Sequence, residues 1–136
     1  MPVVLGYIER DGRVLLTRRP VGVHQGGRWE FPGGKVEAGE TFPVALRREL
    51  WEEIGVEVIV GAELAVTRYA YADRCVELHL FACTLAAGAP APREGDAVRW
   101  TPARALAATD FPPANAALLA RMRREDIGGP ASCPEE

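Results

Sequence analysis

The segment 41–55 places the strongest constraint on how this chain folds. Its apolar residues recur at intervals of roughly three and four, which predicts an amphipathic helix over about 41–54. Those residues are Val44, Ala45, Leu50 and Ile54, with Trp51 nearby. Thr41 is a suitable N-cap, Pro43 is acceptable in the first turn, and Gly55 suits a C-terminal cap. We therefore predict one well-bounded helix in the first half of the chain.

Three glutamates, Glu49, Glu52 and Glu53, lie within five positions near the end of this helix. On a helix they fall within an arc of about 100°, so they share one face. Each like-charge pair costs roughly 0.2–0.5 kcal/mol, and acidic groups at a C-terminus oppose the helix dipole. One interpretation is an exposed acidic face that Arg47 and Arg48 partly neutralise. The other is a site for a hard divalent cation such as Mg²⁺ or Mn²⁺, which prefers oxygen ligands.

The glycine-rich stretch 20–39 precedes the helix and favours the cation site. We expect it to form a structured loop with a short strand at 28–31. Gly33 and Gly34 allow a close backbone approach at the end of that strand. Glu40 adds a fourth carboxylate just before the helix.

The rest of the chain shows alternating strand and helix patterns. Two β-prone runs, 3–9 and 13–18, flank Asp11-Gly12, a dipeptide that favours a hairpin turn. Further strands are predicted at 56–60, 63–71, 76–85 and 98–100, with a hairpin around 72–74. A short helical piece follows from Pro102, and a second amphipathic helix starts near Pro113 and carries Leu118, Leu119 and Met122. We expect a single domain over 1–127 and a flexible C-terminal tail at 128–136.

Composition limits the partners that this chain can have. A net charge of −3 over 136 residues argues against a broad basic surface for a nucleic acid polymer. No apolar run reaches membrane-spanning length, and charge appears too early for a secretory signal. Cys75, Cys83 and Cys133 form no CxxC pair, so we expect free thiols rather than a zinc site. We predict a cytoplasmic protein that binds neither a membrane nor a nucleic acid polymer.

Residues 34–56, GKVEAGETFPVALRRELWEEIGV, resemble a complete Nudix box. Every defining position matches, namely Gly34, Glu40, Arg48, Glu49, Leu50, Glu52, Glu53, Gly55 and Val56. The resemblance implies the Nudix α/β/α sandwich, in which a mixed β-sheet is flanked by helices and the box forms a loop, a helix and a loop. It also implies hydrolysis of a nucleoside diphosphate linked to another group.

The resemblance assigns roles within the box. Glu49, Glu52 and Glu53 would be metal ligands, with the Gly33 carbonyl as a further one, and Mg²⁺ is the expected ion, with Mn²⁺ as a substitute. Arg48 would orient the carboxylates through charge-assisted hydrogen bonds. Glu40 would be structural or lie outside the ligand set.

The general base is a separate question. It varies across the family, and we favour Glu49 or Glu53. Glu94, in the loop PREGD, is the alternative base or else a surface residue.

The resemblance extends beyond the box to four segments that resemble the MutT subgroup of 8-oxo-dGTP diphosphatases: TRR at 17–19, WEFPGGK at 29–35, which overlaps the start of the box, REG at 93–95 and DFPPAN at 110–115. In this subgroup the asparagine that ends the last of these segments recognises the base, which implies that role for Asn115. Oxidation at C8 turns purine N7 into an N–H donor, and an amide can accept from it while donating to O6. The alternative is that Asn115 only helps to start the second helix.

The same resemblance implies further contacts with the nucleotide. Arg19 suits a phosphate, and His24 suits the α-phosphate or the sugar, although each also fits an ordinary surface position. Arg74 would lie near the base, or would be an exposed hairpin arginine. The base pocket would be lined by Glu30, Phe31, Pro32 and Gly33, with Phe31 beside the purine.

Two alternatives to 8-oxo-dGTP hydrolysis stay open. The strand LHLFACTL carries smaller residues than the subgroup pattern, so the pocket shape could suit CTP or a methylated pyrimidine nucleotide. A protein of another class would be a Nudix-like domain that binds nucleotides without hydrolysing them. The intact box argues against that class. In each case the partner is a small nucleoside triphosphate, and we expect a monomer or a weak dimer.

Overall fold

A computed structural model describes residues 1–20, 22, 26–93 and 97–123 of the protein. The elements in chain order are β1 Pro2–Arg10, β2 Arg13–Arg18, β3 Trp29–Glu30, β4 Gly33–Lys35, α1 Phe42–Ile54, β5 Glu57–Ala70, β6 Cys75–Ala87, β7 Ala97–Pro102, a 3-10 helix Ala103–Ala108 and α2 Pro113–Met122. His24, Glu94, Cys133 and the tail 128–136 lie outside the described residues, so the predictions made for them stay predictions. Within the described ranges, no helix combines the length and the hydropathy needed to cross a bilayer.

The seven strands form one mixed sheet with β1 near its centre. β1 runs parallel to β6 and antiparallel to β2 and β4. β5 pairs with β6, while β3 and β7 pair with β2, all antiparallel. We call Gly33 and Gly34, at the start of β4, the glycine turn. Strands β4 and β2 pair with the same edge of β1, so the glycine turn and β2 lie on one side of that strand.

Alternate side chains of the sheet pack on opposite faces. Val4 and Ile8 of β1 belong to the buried cluster that contains Leu50 of α1. Leu5 belongs to the cluster on the other face, together with Leu118 of α2. Because the two helices cover opposite faces of one mixed sheet, the predicted α/β/α sandwich is confirmed.

Helix α1 has the predicted boundaries. The Thr41 hydroxyl accepts from the Val44 N–H at 3.3 Å, and Gly55 takes a left-handed φ of 70° at the other end. One detail of the apolar face was wrong, because Val44 is 42% exposed and Trp51 is 50% exposed. Leu46 is buried in place of Val44, since it lies one turn before Leu50 and so shares its stripe.

The strands also match the predicted pattern, with two differences. The segments 56–60 and 63–71 form the single strand β5, and register shifts between Val60, Glu63 and Ala65 mark bulges within it. The short strand β4, with its two glycines, was not predicted. The hairpins at 11–12 and 72–74 are confirmed, and Asp11 and Gly12 both have positive φ values, 53° and 74°.

Candidate active site

Arg48 lies at the centre of the acidic cluster on α1. Its Nε donates to Glu40 at 2.7 Å, and its Nη1 donates to Glu49 at 2.9 Å and to Glu52 at 3.1 Å. Its Nη2 reaches the Lys35 carbonyl at 3.0 Å. The hydrogen bond from Arg48, aided by one from the Glu37 backbone, lowers the pKa of Glu40 to about 2. This geometry suits a residue that orients carboxylates, and its catalytic role stays a prediction.

Gly34 leaves room for the carboxylate of Glu49. A Cβ added at Gly34 would overlap that carboxylate. At the neighbouring Gly33, φ is 150° and a Cβ would overlap the Val4 carbonyl. A side chain is therefore excluded at both positions for different reasons. At Gly33 it would collide with the backbone of Val4, and at Gly34 it would collide with the side chain of Glu49.

Both carboxylate oxygens of Glu53 accept hydrogen bonds. The Thr17 hydroxyl donates to Oε1 at 3.0 Å, and the Gly33 N–H donates to Oε2 at 3.3 Å. Burial, together with the nearby Glu30 carboxylate, raises the pKa of Glu53 to about 8. Since both donors are neutral, a cation would relieve the cost of burying this charge.

The donor chemistry of the box fits a hard divalent cation. Glu49, Glu52 and Glu53 offer only oxygen, and Gly34 keeps a space beside one of these carboxylates. Among the described residues, however, no three acidic, histidine or cysteine side chains already surround a common cation position. Arg48 holds two of the glutamates, while Glu53 is turned towards Thr17 and Gly33.

A cleft of about 210 Å³ opens beside the glycine turn. The predicted residues on its wall are Arg19, Glu30, Phe31, Gly33, Arg74 and Asn115. The other lining residues are Met1, Val3, Leu5, Gly34, Lys35, Tyr71, Val76, Leu78, Pro112 and Ala114. We call Gly33 and Gly34, with Glu53 and the acidic cluster around Arg48, the acidic end, and we call Tyr71, Arg74 and Asn115 the base end. Pro32 does not line the cleft, because it is buried and its carbonyl accepts from the Gly6 N–H at 2.8 Å.

Asn115 is the third residue of α2 and is only 5% exposed. Its Oδ1 accepts from the Phe31 N–H at 3.1 Å, across 84 residues of sequence. A backbone N–H can only donate, so the atom that faces it must be the oxygen, and the amide nitrogen points elsewhere. This oxygen therefore bonds to a distant segment of the chain rather than to the N-terminus of its own helix.

Two predicted substrate contacts are already engaged within the protein. Arg19 donates to Glu30 at 3.0 Å. Burial raises the pKa of Glu30, and Arg19 opposes that shift. The ring of Phe31 is 1% exposed, stacks on Phe111 at 5.1 Å and lines the cleft, and its place beside a purine stays a prediction.

Tyr71 is a wall residue that the sequence did not single out. Its hydroxyl oxygen accepts from the Ala114 N–H, and burial raises the pKa of Tyr71. The exposed Arg74 lies with its guanidinium 5.9 Å from the Tyr71 ring. Strand alternation up to the turn at 72–74 places Tyr71 on the α2 face, and this was the signal that could have found it.

Comparisons with known proteins identify the family. A family model of the NUDIX domain matches residues 1–122. The 8-oxo-dGTP diphosphatase of Haemophilus influenzae is 41% identical over 125 residues, which are 90% of this chain and 91% of that protein. The CTP pyrophosphohydrolase of Escherichia coli K12 is 39% identical over 127 residues, which are 90% of this chain and 94% of that protein.

A solved structure shows the same architecture. The solution structure of the E. coli ORF135 protein has a TM-score of 0.78 and 36% sequence identity, and the match covers 90% of this chain and 88% of that one. Nudix hydrolases use divalent metal ions and act on small nucleotides. With its intact box, its sandwich fold and a family model that spans nearly all of its described residues, this chain belongs to the Nudix hydrolase family.

Proposed function

We propose that the protein is a metal-dependent nucleoside triphosphate pyrophosphohydrolase that prefers 8-oxo-dGTP. The observation that carries this proposal is that one cleft borders both the glycine turn and Asn115. A triphosphate at the acidic end would direct its base towards the base end. The similarity to the 8-oxo-dGTP diphosphatase of H. influenzae supports the choice of base.

Asn115 would distinguish the oxidised purine by its donor and acceptor pattern. Its amide nitrogen can donate to the base O6. Its Oδ1 accepts from Phe31 N–H and retains a second lone pair for the N7–H of the oxidised base. In unoxidised guanine N7 is an acceptor and would face the acceptor Oδ1. A buried polar group that is left unpaired in this way costs roughly 1–3 kcal/mol.

The proposed reaction is hydrolysis at the β-phosphorus. Water forms a new P–O bond at this atom while the bond to the oxygen that bridges the α-phosphorus breaks, so 8-oxo-dGMP and pyrophosphate leave. Glu49 or Glu53 accepts the proton of the water. Glu49, Glu52, Glu53 and the Gly33 carbonyl would hold Mg²⁺, for which Mn²⁺ can substitute. The bound ion supplies charge neutralisation of the phosphate oxygens and a more acidic water.

The remaining predicted contacts fit this orientation. Arg19, on the cleft wall, would exchange part of its bond to Glu30 for a phosphate oxygen. Arg74 would approach the base from the hairpin. His24 is proposed for the α-phosphate or the sugar, and Glu94 is the alternative base. The net charge of −3 supports a free nucleotide of the cytoplasmic pool over a nucleic acid polymer.

A substrate panel with Mg²⁺ tests the proposal. Pyrophosphate release is measured for 8-oxo-dGTP, dGTP, CTP and 5-methyl-dCTP, and we expect the highest kcat/KM for 8-oxo-dGTP. In H₂¹⁸O the label should enter pyrophosphate, and label in the monophosphate would contradict attack at the β-phosphorus. An equal kcat/KM for 8-oxo-dGTP and dGTP would refute the role of Asn115.

The E. coli relative favours a second candidate function, hydrolysis of CTP. A maximum at CTP in the same panel would establish it. Nucleotide binding without pyrophosphate release from any member would instead indicate a binding module.

A further inference from the structure

Thr17 is a buried hydroxyl residue that faces the acidic helix. It lies on β2 with 2% of its surface exposed, directly after the fully buried Leu15 and Leu16. Its Oγ1 donates to Glu53 Oε1 at 3.0 Å, although the two residues are 36 positions apart. A strand on the sheet thus directs a polar group into the candidate metal site.

The sheet holds Thr17 firmly in place. Its backbone pairs with Glu30 on one side and with Val98 on the other. A β-branched side chain is also restricted at χ1, so the hydroxyl has few alternative directions. Glu53, by contrast, has a long side chain and lies one residue before the end of α1.

Together, Thr17 and Gly33 hold both carboxylate oxygens of Glu53. The Gly33 N–H donates to Oε2 at 3.3 Å, so the two donors come from separate parts of the sheet. Two donors on two oxygens set the plane of the carboxylate as well as its position. Each oxygen retains a lone pair for another partner.

We propose that Thr17 is a positioning residue of the metal site, which orients the Glu53 carboxylate towards a divalent cation. The inference rests on the proposed function only in taking Glu53 as a ligand. Thr17 acts through Glu53 and does not touch the substrate. A purely structural role is the competing explanation, and it predicts lower stability with unchanged affinity of the folded protein for metal.

The test is Mn²⁺ affinity of the folded protein without nucleotide, measured by the electron paramagnetic resonance signal of free Mn²⁺. Thr17→Val removes the hydroxyl and keeps the branched shape, and Thr17→Ser is the matched control that keeps the hydroxyl. We expect Thr17→Val to weaken binding about 10- to 100-fold, as is usual when a group that orients a ligand is lost. Thr17→Ser should restore most of that affinity.

Wild-type Mn²⁺ affinity in folded Thr17→Val would overturn the inference, and so would equal weakening in Thr17→Ser. If Thr17→Val does not fold, Thr17→Ala removes the same hydroxyl and takes its place in the comparison. Glu53→Gln is the reference, and unchanged Mn²⁺ affinity in that variant would also overturn the inference.

The proposed function is tested separately by pyrophosphate release from the wild-type protein. Weaker Mn²⁺ binding by Thr17→Val supports the positioning role even if no nucleotide is hydrolysed.

Discussion

At the acidic end of the cleft, hydrogen bonds join residues that are close in sequence, whereas at the base end they join residues that are far apart. At the acidic end, Arg48 bonds to Glu49, Glu52 and Glu40 at separations of one, four and eight residues. At the base end, Asn115 bonds to Phe31 at a separation of 84 residues. The groups proposed for phosphate and metal chemistry lie mainly in one contiguous segment, whereas base recognition depends on how two distant segments meet.

Further long-range bonds hold the base end together. The Trp29 N–H donates to the Asp110 carbonyl at 3.1 Å, and Arg28 donates to the Phe111 carbonyl at 3.1 Å. The position of Asn115 therefore depends on the contact between β3 and the start of α2. Relatives at 41% and 39% identity carry the names of different substrates, which is expected if the base end can change while the acidic end is kept.

The largest effect should come from removing a charge at the acidic end. Glu53→Gln retains the shape of the side chain and an oxygen that can accept from Thr17 or Gly33, so the fold should persist. If Glu53 is the proposed metal ligand, loss of its carboxylate should lower kcat about 10³-fold, or about 4 kcal/mol of barrier. Pyrophosphate release and thermal unfolding are measured on the same sample. Retention of more than a tenth of the activity would contradict the ligand assignment.

A steric change at Gly34 should have the next largest effect. Gly34→Ala would displace the Glu49 carboxylate. We expect about 100-fold lower activity, which is the upper end of the range of about 10- to 100-fold seen when a group that orients a metal ligand is lost. Gly61→Ala is the matched control, because Gly61 is exposed on β5 and the atoms nearest its added Cβ all belong to Ala82, with the carbonyl oxygen at 3.2 Å. Equal activity in the two variants would show that Glu49 does not need this space.

At the base end, a smaller and selective effect is expected. Asn115→Ala removes the oxygen that would accept from the N7–H of the oxidised base, so we expect the preference for 8-oxo-dGTP over dGTP to fall about 5- to 30-fold, equivalent to about 1–2 kcal/mol. It should in addition lose stability, because it leaves the buried Phe31 N–H unpaired. Asn115→Asp keeps an acceptor oxygen and loses only the amide donor to O6, which both bases share, so it is the control that should retain most of the preference. Equal losses of kcat/KM for both nucleotides in Asn115→Ala would make Asn115 a structural residue.

Local features of the sequence predicted most of the fold. Helix α1 carries its own caps, and the Asp11-Gly12 turn has the two positive φ values that such a hairpin needs. The strand β4 was missed because two of its three residues are glycines, which have no preference for a strand. It pairs with β1 only because the sheet forms, and pairing of this kind cannot be inferred from a local pattern.

The same distinction holds within the site. The acidic residues were identified because their spacing on one helix is visible in the sequence. Thr17 and Tyr71 were missed because nothing in the local sequence marks them: Thr17 is an ordinary strand residue and Tyr71 directly follows β5, and only folding brings them to Glu53 and Ala114. A motif shows which residues are present but not how far their side chains are buried, so it could not show that the Phe31 ring packs against Phe111, and the contact of Phe31 with a base stays a prediction.

The smallest effect concerns the support of the acidic end by Glu40. Its pKa is lowered from 4.5 to about 2, so its interaction with Arg48 stabilises the fold fully above about pH 4.5 and is lost as the pH falls towards 2. Glu40→Gln should therefore lower the urea midpoint of the metal-free protein at pH 6, with a difference that shrinks as the pH falls. Glu37→Gln is the control, because Glu37 is 69% exposed and 3.9 Å from Arg48. A difference that persists unchanged at pH 3 would mean that Glu40 acts by packing rather than by charge, and that the acidic end does not depend on this ion pair.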